Sequence, residues 1–139
     1  MREPVEKSFA RAKRVHPHQW LWEPLENDAT FVLRSMFGAK AVYLDGRLML
    51  CFCAGEEPWC GALVCTDHPR HAALQAEFPV LTPHPVLPKW LYLSESAESF
   101  ERTAVRLVGL ARRRDPRLGV TPGRKKRGRT AGAGRRRPR

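Results

Sequence analysis

This chain has no long apolar segment. Its 139 residues contain no run of about eighteen apolar residues, which is the minimum for a helix that crosses a bilayer. The first fifteen residues are charged throughout and lack the apolar core of a secretory signal. We therefore expect a cytoplasmic protein with no membrane partner, and its length fits a single domain.

The glycine patterns of nucleotide-binding enzymes are also missing. No Walker A loop is present, and no three-glycine turn opens a helix. His68 follows Cys65 by three residues, but neither an oxyanion-type glycine run nor an orienting Asn accompanies them. The backbone amides at Gly38 remain a candidate anion nest. We predict a non-enzymatic protein without a cofactor.

Acidic residues are absent from the C-terminal segment. The formal net charge is +11, yet residues 121–139 hold nine cations and residues 1–120 hold sixteen basic and fourteen acidic groups. This segment has no large apolar residue that could anchor a core. We predict one domain over residues 1–120 and a disordered basic tail over residues 121–139. The nine cations of the tail are Arg124, Lys125, Lys126, Arg127, Arg129, Arg135, Arg136, Arg137 and Arg139.

The basic tail has two interpretations that the sequence leaves open. Such a run attracts nucleic acid by releasing counterions from phosphates, and it attracts an acidic protein through the same charge. No aromatic residue is interleaved, so the tail itself is not expected to stack on bases. The alternative is a solubilising or compositional tail without a dedicated partner. Arg outnumbers Lys nineteen to six in the whole chain, and a GC-rich genome produces such a bias as readily as selection for phosphate binding does.

Hydrophobic periodicity predicts a mixed fold. Strands are expected over residues 30–37, 41–44, 47–53, 59–66 and 90–93, and helices over residues 3–15, after Asp67, and after Ser94 or Ser96. The last helix has a clear apolar face and ends with three arginines, residues 112–114. This order predicts an α+β domain in which an antiparallel β-sheet meander packs against N- and C-terminal helices.

The segment of residues 34–53 contains two turn signals. Asp45-Gly46 predicts a two-residue type I′ hairpin, and Gly38 predicts a bulge or bend at a strand junction. Strict alternation along the return strand then predicts two faces. Leu48, Leu50 and Phe52 would lie on one face, and Met49, Cys51 and Cys53 on the other.

The same segment resembles the opening of the TfoX N-terminal domain family. The residues that match the family pattern are Arg34, Met36, Phe37, Gly38, Tyr43 and Gly46. The resemblance extends over about residues 28–114, although Ala39 stands where that family usually has a second glycine. It implies a small α+β fold of the YjbR and CyaY-like group. It also implies a bacterial regulatory protein without known catalysis, associated in that family with competence.

Four cysteines fall within fifteen residues, at Cys51, Cys53, Cys60 and Cys65. A Cys-x-Cys pair inside a strand is poor geometry for zinc, which usually takes its thiolates from turns. We therefore predict reduced, packed thiols and no metal ligands. The alternative is a small-ligand or metal-binding domain that uses Cys60, Cys65 and His68.

Three tryptophans complete the set of candidate functional residues. We expect Trp20 and Trp22 to cover the core as a flap, and together with Trp59 to offer a protein-binding surface. The function predicted from the sequence is an accessory or regulatory protein that contacts nucleic acid or an acidic partner through its tail.

Overall fold

A computed structural model describes residues 16–36 and 38–121. The predicted helix over residues 3–15, Phe37, and the tail from residue 122 lie outside the described residues. The described helices are α1 (Gln19–Trp22), α2 (His68–Glu77) and α3 (Phe100–Arg112), and a 3₁₀ turn at Glu23–Leu25 follows α1. The strands are β1 (Val32–Met36), β2 (Ala39–Leu44), β3 (Arg47–Ala54), β4 (Cys60–Val64), β5 (Thr82–Pro83) and β6 (Leu91–Ser94).

The strands form one antiparallel sheet in the order β1-β2-β3-β4-β6-β5. The predicted α+β class is therefore confirmed. The first four strands are a meander, but α2 and β5 intervene before β6 returns to pair with β4. The two-residue β5 was missed because its segment is rich in proline; at a sheet edge Pro83 is tolerated, since no further strand needs its missing N–H.

All three described helices pack on one face of the sheet. Their residues share a helix-side cluster with sheet side chains that include Val42, Leu50, Phe52, Val64 and Leu93. The predicted apolar face of α3 is confirmed. Its five members are all buried, and they are Phe100, Ala104, Leu107, Val108 and Ala111. Burial of each large apolar side chain contributes about 1.5–3 kcal/mol, so this face holds α3 against the sheet.

The other face of the sheet carries a smaller second-face cluster. None of its members belongs to a described helix. The buried members are Ala39, Ala41, Leu48, Cys51, Cys53, Leu63, Cys65 and Tyr92. Half-buried side chains, among them Leu87, Trp90 and Val120, pack against them from the loop before β6 and from the segment after α3.

Two hairpins build the segment around Gly38 and Gly46. Asp45 and Gly46 both have positive φ, 55° and 76°, which confirms the type I′ signal. Gly38 (φ 77°) lies in the turn between β1 and β2, whose last pair is Met36 with Ala39. The predicted bend is thus a second hairpin turn, in which glycine supplies the left-handed conformation.

The predicted alternation along β3 is wrong at its start. Tyr43 pairs with Leu48 and Val42 pairs with Leu50, so Met49 is an extra residue in a β-bulge. Leu48 consequently faces the second-face cluster, while Met49 joins Leu50 in the helix-side cluster. The binary pattern could not reveal the bulge because three consecutive residues there are apolar.

The helix ends differ from the predictions in detail. Ser99, and neither Ser94 nor Ser96, is the N-cap of α3, and Asp67 is the N-cap of α2 without a capping side-chain bond. Helix α3 ends at Arg112 instead of extending to Arg114. Arg114 is left-handed (φ 58°) beyond that end.

The segment after α3 returns to the sheet. Leu48 N donates to Val120 O at 2.8 Å, and Val120 N donates to Leu48 O at 3.0 Å. Gly119 N also donates to Cys65 O at 2.7 Å. These three bonds fix residues 119–120 beside β3, at the point where β4 has ended. Within residues 16–36 and 38–121, no helix has the length and apolarity needed to span a bilayer.

Candidate functional site

A groove of about 780 Å³ opens on the second face of the sheet. Its walls are the start of β3, the β4–α2 junction, the loop before β6 and residues 119–121. We call it the basic groove. Its volume lies in the range of sites that hold a small molecule or one unit of a polymer.

The floor and one wall of the basic groove are apolar. Met36, Leu48, Leu87, Trp90 and Val120 line it, and all five also belong to the second-face cluster or pack against it. Trp90 is half-buried, so part of its ring rests on the core and part faces the groove. A flat or apolar group of a ligand would cover this apolar surface and thereby remove it from water, which is favourable.

Three cations rim the groove, and Asp67 is the one carboxylate among its lining residues. Arg47 Nη2 and Arg70 Nη2 both donate to Gly119 O, at 2.6 and 3.1 Å. Two guanidinium groups are thereby held side by side. Arg70 Nε pairs with Asp67 at 2.9 Å, whereas Arg47 and Lys89 have no ion pair among the described residues. An anion in the groove would meet an excess of positive charge.

Buried histidines fix the loop that carries Lys89 and Trp90. His84 is fully buried, and its Nδ1 accepts from the backbone amides of Val86 and Leu87, both at 3.0 Å. Its proton therefore lies on Nε2, which donates to Pro58 O at 2.7 Å. His71 Nε2 is 2.8 Å from Lys89 O. The groove wall is held in place before any ligand arrives.

The structure does not bring together Cys60, Cys65 and His68. Cys65 Sγ is fully buried, 3.9 Å from Cys51 Sγ, while Cys60 begins β4 at the opposite end and His68 is exposed beside His71. Within the part of the chain that the structure describes, no group of three or more His, Cys, Asp or Glu side chains could hold a metal ion. The alternative site is therefore not assembled as the sequence suggested.

The cysteines are packed thiols, as predicted, except for Cys60. Burial raises the pKa of Cys53 to about 12 and raises that of Cys65 strongly. Cys60 is half-exposed, and its Sγ lies 3.3 Å from Glu95 Oε1, an atom that is also 3.2 Å from His18 Nε2. Desolvation and then the Glu95 carboxylate raise the pKa of Cys60. Such a thiol is protonated near neutral pH, which is the opposite of an activated nucleophile.

A second cavity, of about 550 Å³, lies beside Glu95, which contacts Cys60, and beside His18, which contacts Glu95. Three carboxylates and one arginine line it together with His18 and Trp20; the charged residues are Glu95, Glu98, Glu101 and Arg102. Its charge is predominantly negative, so it repels the anions that the basic groove would attract. The two cavities thus differ in the sign of the ligand that each favours.

The described motif residues of the family resemblance lie in and around the two hairpins. Gly38 and Gly46 form the two hairpin turns, and Arg34 lies over the ring of Tyr43 at 5.6 Å on the second face. Of the described motif residues, only Met36 lines the basic groove. Burial raises the pKa of Tyr43, so its hydroxyl stays protonated. Phe37 lies outside the described residues.

The three tryptophans do not form one surface. Trp22 is 2% exposed and packs on Phe52 at a ring distance of 5.5 Å, which confirms its place over the core. Trp20 is 44% exposed beside the second cavity, and Trp59 packs on His84 at 4.3 Å. The three rings therefore lie in separate environments and do not share the predicted protein-binding surface.

The tail cations from Arg124 to Arg139 lie outside the described residues. The candidate residues predicted from the sequence did not include the groove residues Arg47, Arg70, Lys89 and Trp90. The adjacent cation and aromatic at Lys89-Trp90 were the available signal, but their proximity to Arg47 depends on the fold.

Comparison with protein-family models, with curated proteins and with solved structures finds no match to this chain. The resemblance to the TfoX N-terminal domain family therefore stays a prediction that rests on its motif residues.

Proposed function

We propose that this chain is a non-enzymatic accessory protein that binds nucleic acid through its basic C-terminal run and the adjoining basic groove. The observation that carries the proposal is one of position. Thr121, which lines the groove, comes three residues before Arg124, the first of nine cations that have no acid among them. Both the groove and the run that follows Thr121 in the sequence offer cations to phosphates.

Cations without an ion pair support this assignment. In the groove, Arg47 and Lys89 have no carboxylate partner among the described residues and can meet an external anion. The helix side has such cations too, at Arg102, Arg112 and Arg113, whereas Arg106, Arg114 and Arg117 are held there by carboxylates. The resemblance to the TfoX N-terminal domain family adds a regulatory role in a bacterial cytoplasm to the proposal.

The test is binding of the full chain to a random 20-base-pair DNA duplex at 50 and 200 mM NaCl. A full-length variant with all nine tail cations changed to Gln should bind far more weakly. A second variant with the tail residues scrambled should bind like the parent, because counterion release depends on charge and not on order. If six or more phosphates are contacted, affinity falls roughly 10³-fold between the two salt concentrations.

Equal binding by the parent and the Gln variant, or binding by neither, would contradict the proposal. Preferential binding to an acidic peptide of twelve glutamates at equal salt would assign the charge to a protein partner instead. That outcome would replace nucleic acid by the acidic partner that the sequence also allowed.

A further inference from the structure

We propose that the basic groove is a subsite for single-stranded nucleic acid, in which Trp90 stacks on a base while Arg47, Arg70 and Lys89 contact the flanking phosphates. This inference rests on the proposed function and adds the form of nucleic acid that is bound. It assigns base contact to the domain and leaves to the tail a contact that depends on charge alone.

Groups that bind phosphates and a ring that can stack on a base lie in one groove. Proteins that bind single strands join a cationic channel for the backbone to aromatic rings on which the bases stack. Here the half-buried ring of Trp90 lies in the same groove as three cations and one acid. The tail has no aromatic residue, so stacking can only come from the domain.

Two guanidinium groups lie next to each other at the rim of the groove. Arg47 and Arg70 both donate to Gly119 O, which places two like charges next to each other. Like charges repel, and only Arg70 is compensated, by Asp67, so an anion that binds at Arg47 would neutralise the charge that is left unpaired. Arg47 uses one N–H for Gly119 O, so the rest of its planar fork is available to a phosphate, whose geometry it matches.

The backbone that carries Trp90 is preorganised by hydrogen bonds. Trp90 N donates to Leu87 O at 2.9 Å and Trp90 O accepts from His84 N at 3.0 Å. With the His84 and His71 bonds, the backbone that carries the ring is fixed on both sides. A ring fixed before binding loses little conformational entropy when a base stacks on it.

The size of the groove favours a single strand over a duplex. A volume of about 780 Å³ accommodates an unstacked base with its sugar and phosphate, whereas the bases of a duplex stay inside their own stack. A flipped or unpaired base can reach Trp90, and a paired one must first be extruded at a cost of a few kcal/mol. Single strands of DNA and RNA share this chemistry.

The experiment measures fluorescence anisotropy of the full chain with labelled dT12, with labelled U12 and with a 12-base-pair duplex. The groove variants are Arg47→Gln, Lys89→Gln and Trp90→Leu. Their matched controls are Arg102→Gln on α3 and Trp20→Leu at the second cavity, which make the same chemical changes outside the groove. Thermal unfolding of each variant shows that it is folded.

We expect dT12 and U12 to bind more tightly than the duplex. Trp90→Leu should weaken single-strand binding about ten-fold or more, in line with the loss of one base stack, and should leave duplex binding unchanged. Arg47→Gln and Lys89→Gln should weaken single-strand binding more than Arg102→Gln does. The ratio of the dT12 to the U12 affinity then indicates whether DNA or RNA is preferred.

An independent measurement does not depend on how well the variants fold. Ultraviolet crosslinking of the unmodified full chain to a 12-mer of 5-bromouracil deoxynucleotides should label the peptide that contains Trp90. Crosslinks confined to residues 122–139 would overturn the groove proposal, as would groove variants that bind like their controls. Those results leave the proposed nucleic-acid binding standing for the C-terminal run alone, whereas no binding to any of the three probes removes both proposals.

Discussion

Arg114 and Asp28 form an ion pair across 86 positions of the chain, with Nη2 and Oδ2 2.8 Å apart. The Nε of the same guanidinium donates to Asp45 Oδ2 at 2.7 Å. Arg114 N donates to Ala111 O and Asp115 N donates to Leu110 O, the two bonds of a Schellman motif. A left-handed arginine occupies the place where glycine is usual, so one residue ends α3 and also holds the Asp45-Gly46 hairpin.

Replacement of Arg114 should separate its two roles. Arg114→Ala removes both ion pairs and keeps a side chain in the left-handed region, so we expect Tm to fall by a few degrees. Arg114→Gly also loses the ion pairs but relieves the left-handed penalty, and should be more stable than the Ala variant by about 1 kcal/mol. Circular dichroism melts measure both, with Arg102→Ala on the same helix as control. An Ala variant as stable as that control would contradict the assigned role of the ion pairs.

His84 should be essential for the groove wall. His84→Leu leaves the amides of Val86 and Leu87 without their acceptor and Pro58 O without its donor. We expect a loss of about 2–3 kcal/mol in the free energy of unfolding and faster hydrogen exchange of both amides. His68→Leu, at an exposed position on α2, is the matched control. Unchanged exchange of the Val86 amide would show that His84 does not hold this loop.

Two glycines should respond in opposite directions to the same substitution. At Gly61 (φ 146°) a Cβ would lie 2.1 Å from Leu93 O, a backbone atom of the neighbouring strand, so Gly61→Ala should prevent normal pairing of β4 with β6. At Gly109, inside α3, a Cβ would meet its nearest neighbour at 3.5 Å. Gly109→Ala should therefore stabilise by about 0.5–1 kcal/mol. Urea unfolding measures both, and a destabilised Gly109→Ala would refute the packing at that site.

Stability should decrease as the pH falls below about 6.5. Burial and then the charge of His18 lower the pKa of His16 in the folded state. The unfolded chain therefore binds more protons between that lowered pKa and 6.5, so stability falls with decreasing pH through this window. His16→Gln should flatten the dependence of Tm on pH between 7.5 and 5 relative to the parent. Identical slopes for parent and His16→Gln would contradict this origin.

Below pH 4 the stability of the fold should decrease further because Asp28 becomes protonated. Its pKa is lowered to about 2, first by hydrogen bonds from Thr30 and then by Arg114. Carboxylates with a lowered pKa stabilise the fold above their unfolded pKa and lose that contribution as the pH falls through the folded one. The decrease of Tm between about pH 4 and 2 should therefore be smaller in Asp28→Asn than in the parent.

Local patterns predicted the elements whose signals lie within a few residues. The Asp45-Gly46 turn and the face of α3 are examples, because turn chemistry and helical periodicity act over short distances. The Met49 bulge was not predictable, since Leu48, Met49 and Leu50 are all apolar and their order does not show which one is extra. The basic groove was not predictable either, because Arg47 meets Gly119 across 72 positions of the chain.

The Leu48–Val120 bridge sets the point from which the cationic run continues in the sequence. Under the proposed function, that run would act as a tether that follows the groove in the sequence. Once its charges had captured a polynucleotide, the neighbouring nucleotides would meet the groove at an effective concentration that is roughly millimolar for short linkers. Even a groove with weak intrinsic affinity would then be occupied, and cutting the chain between the two would weaken binding without removing a single contact.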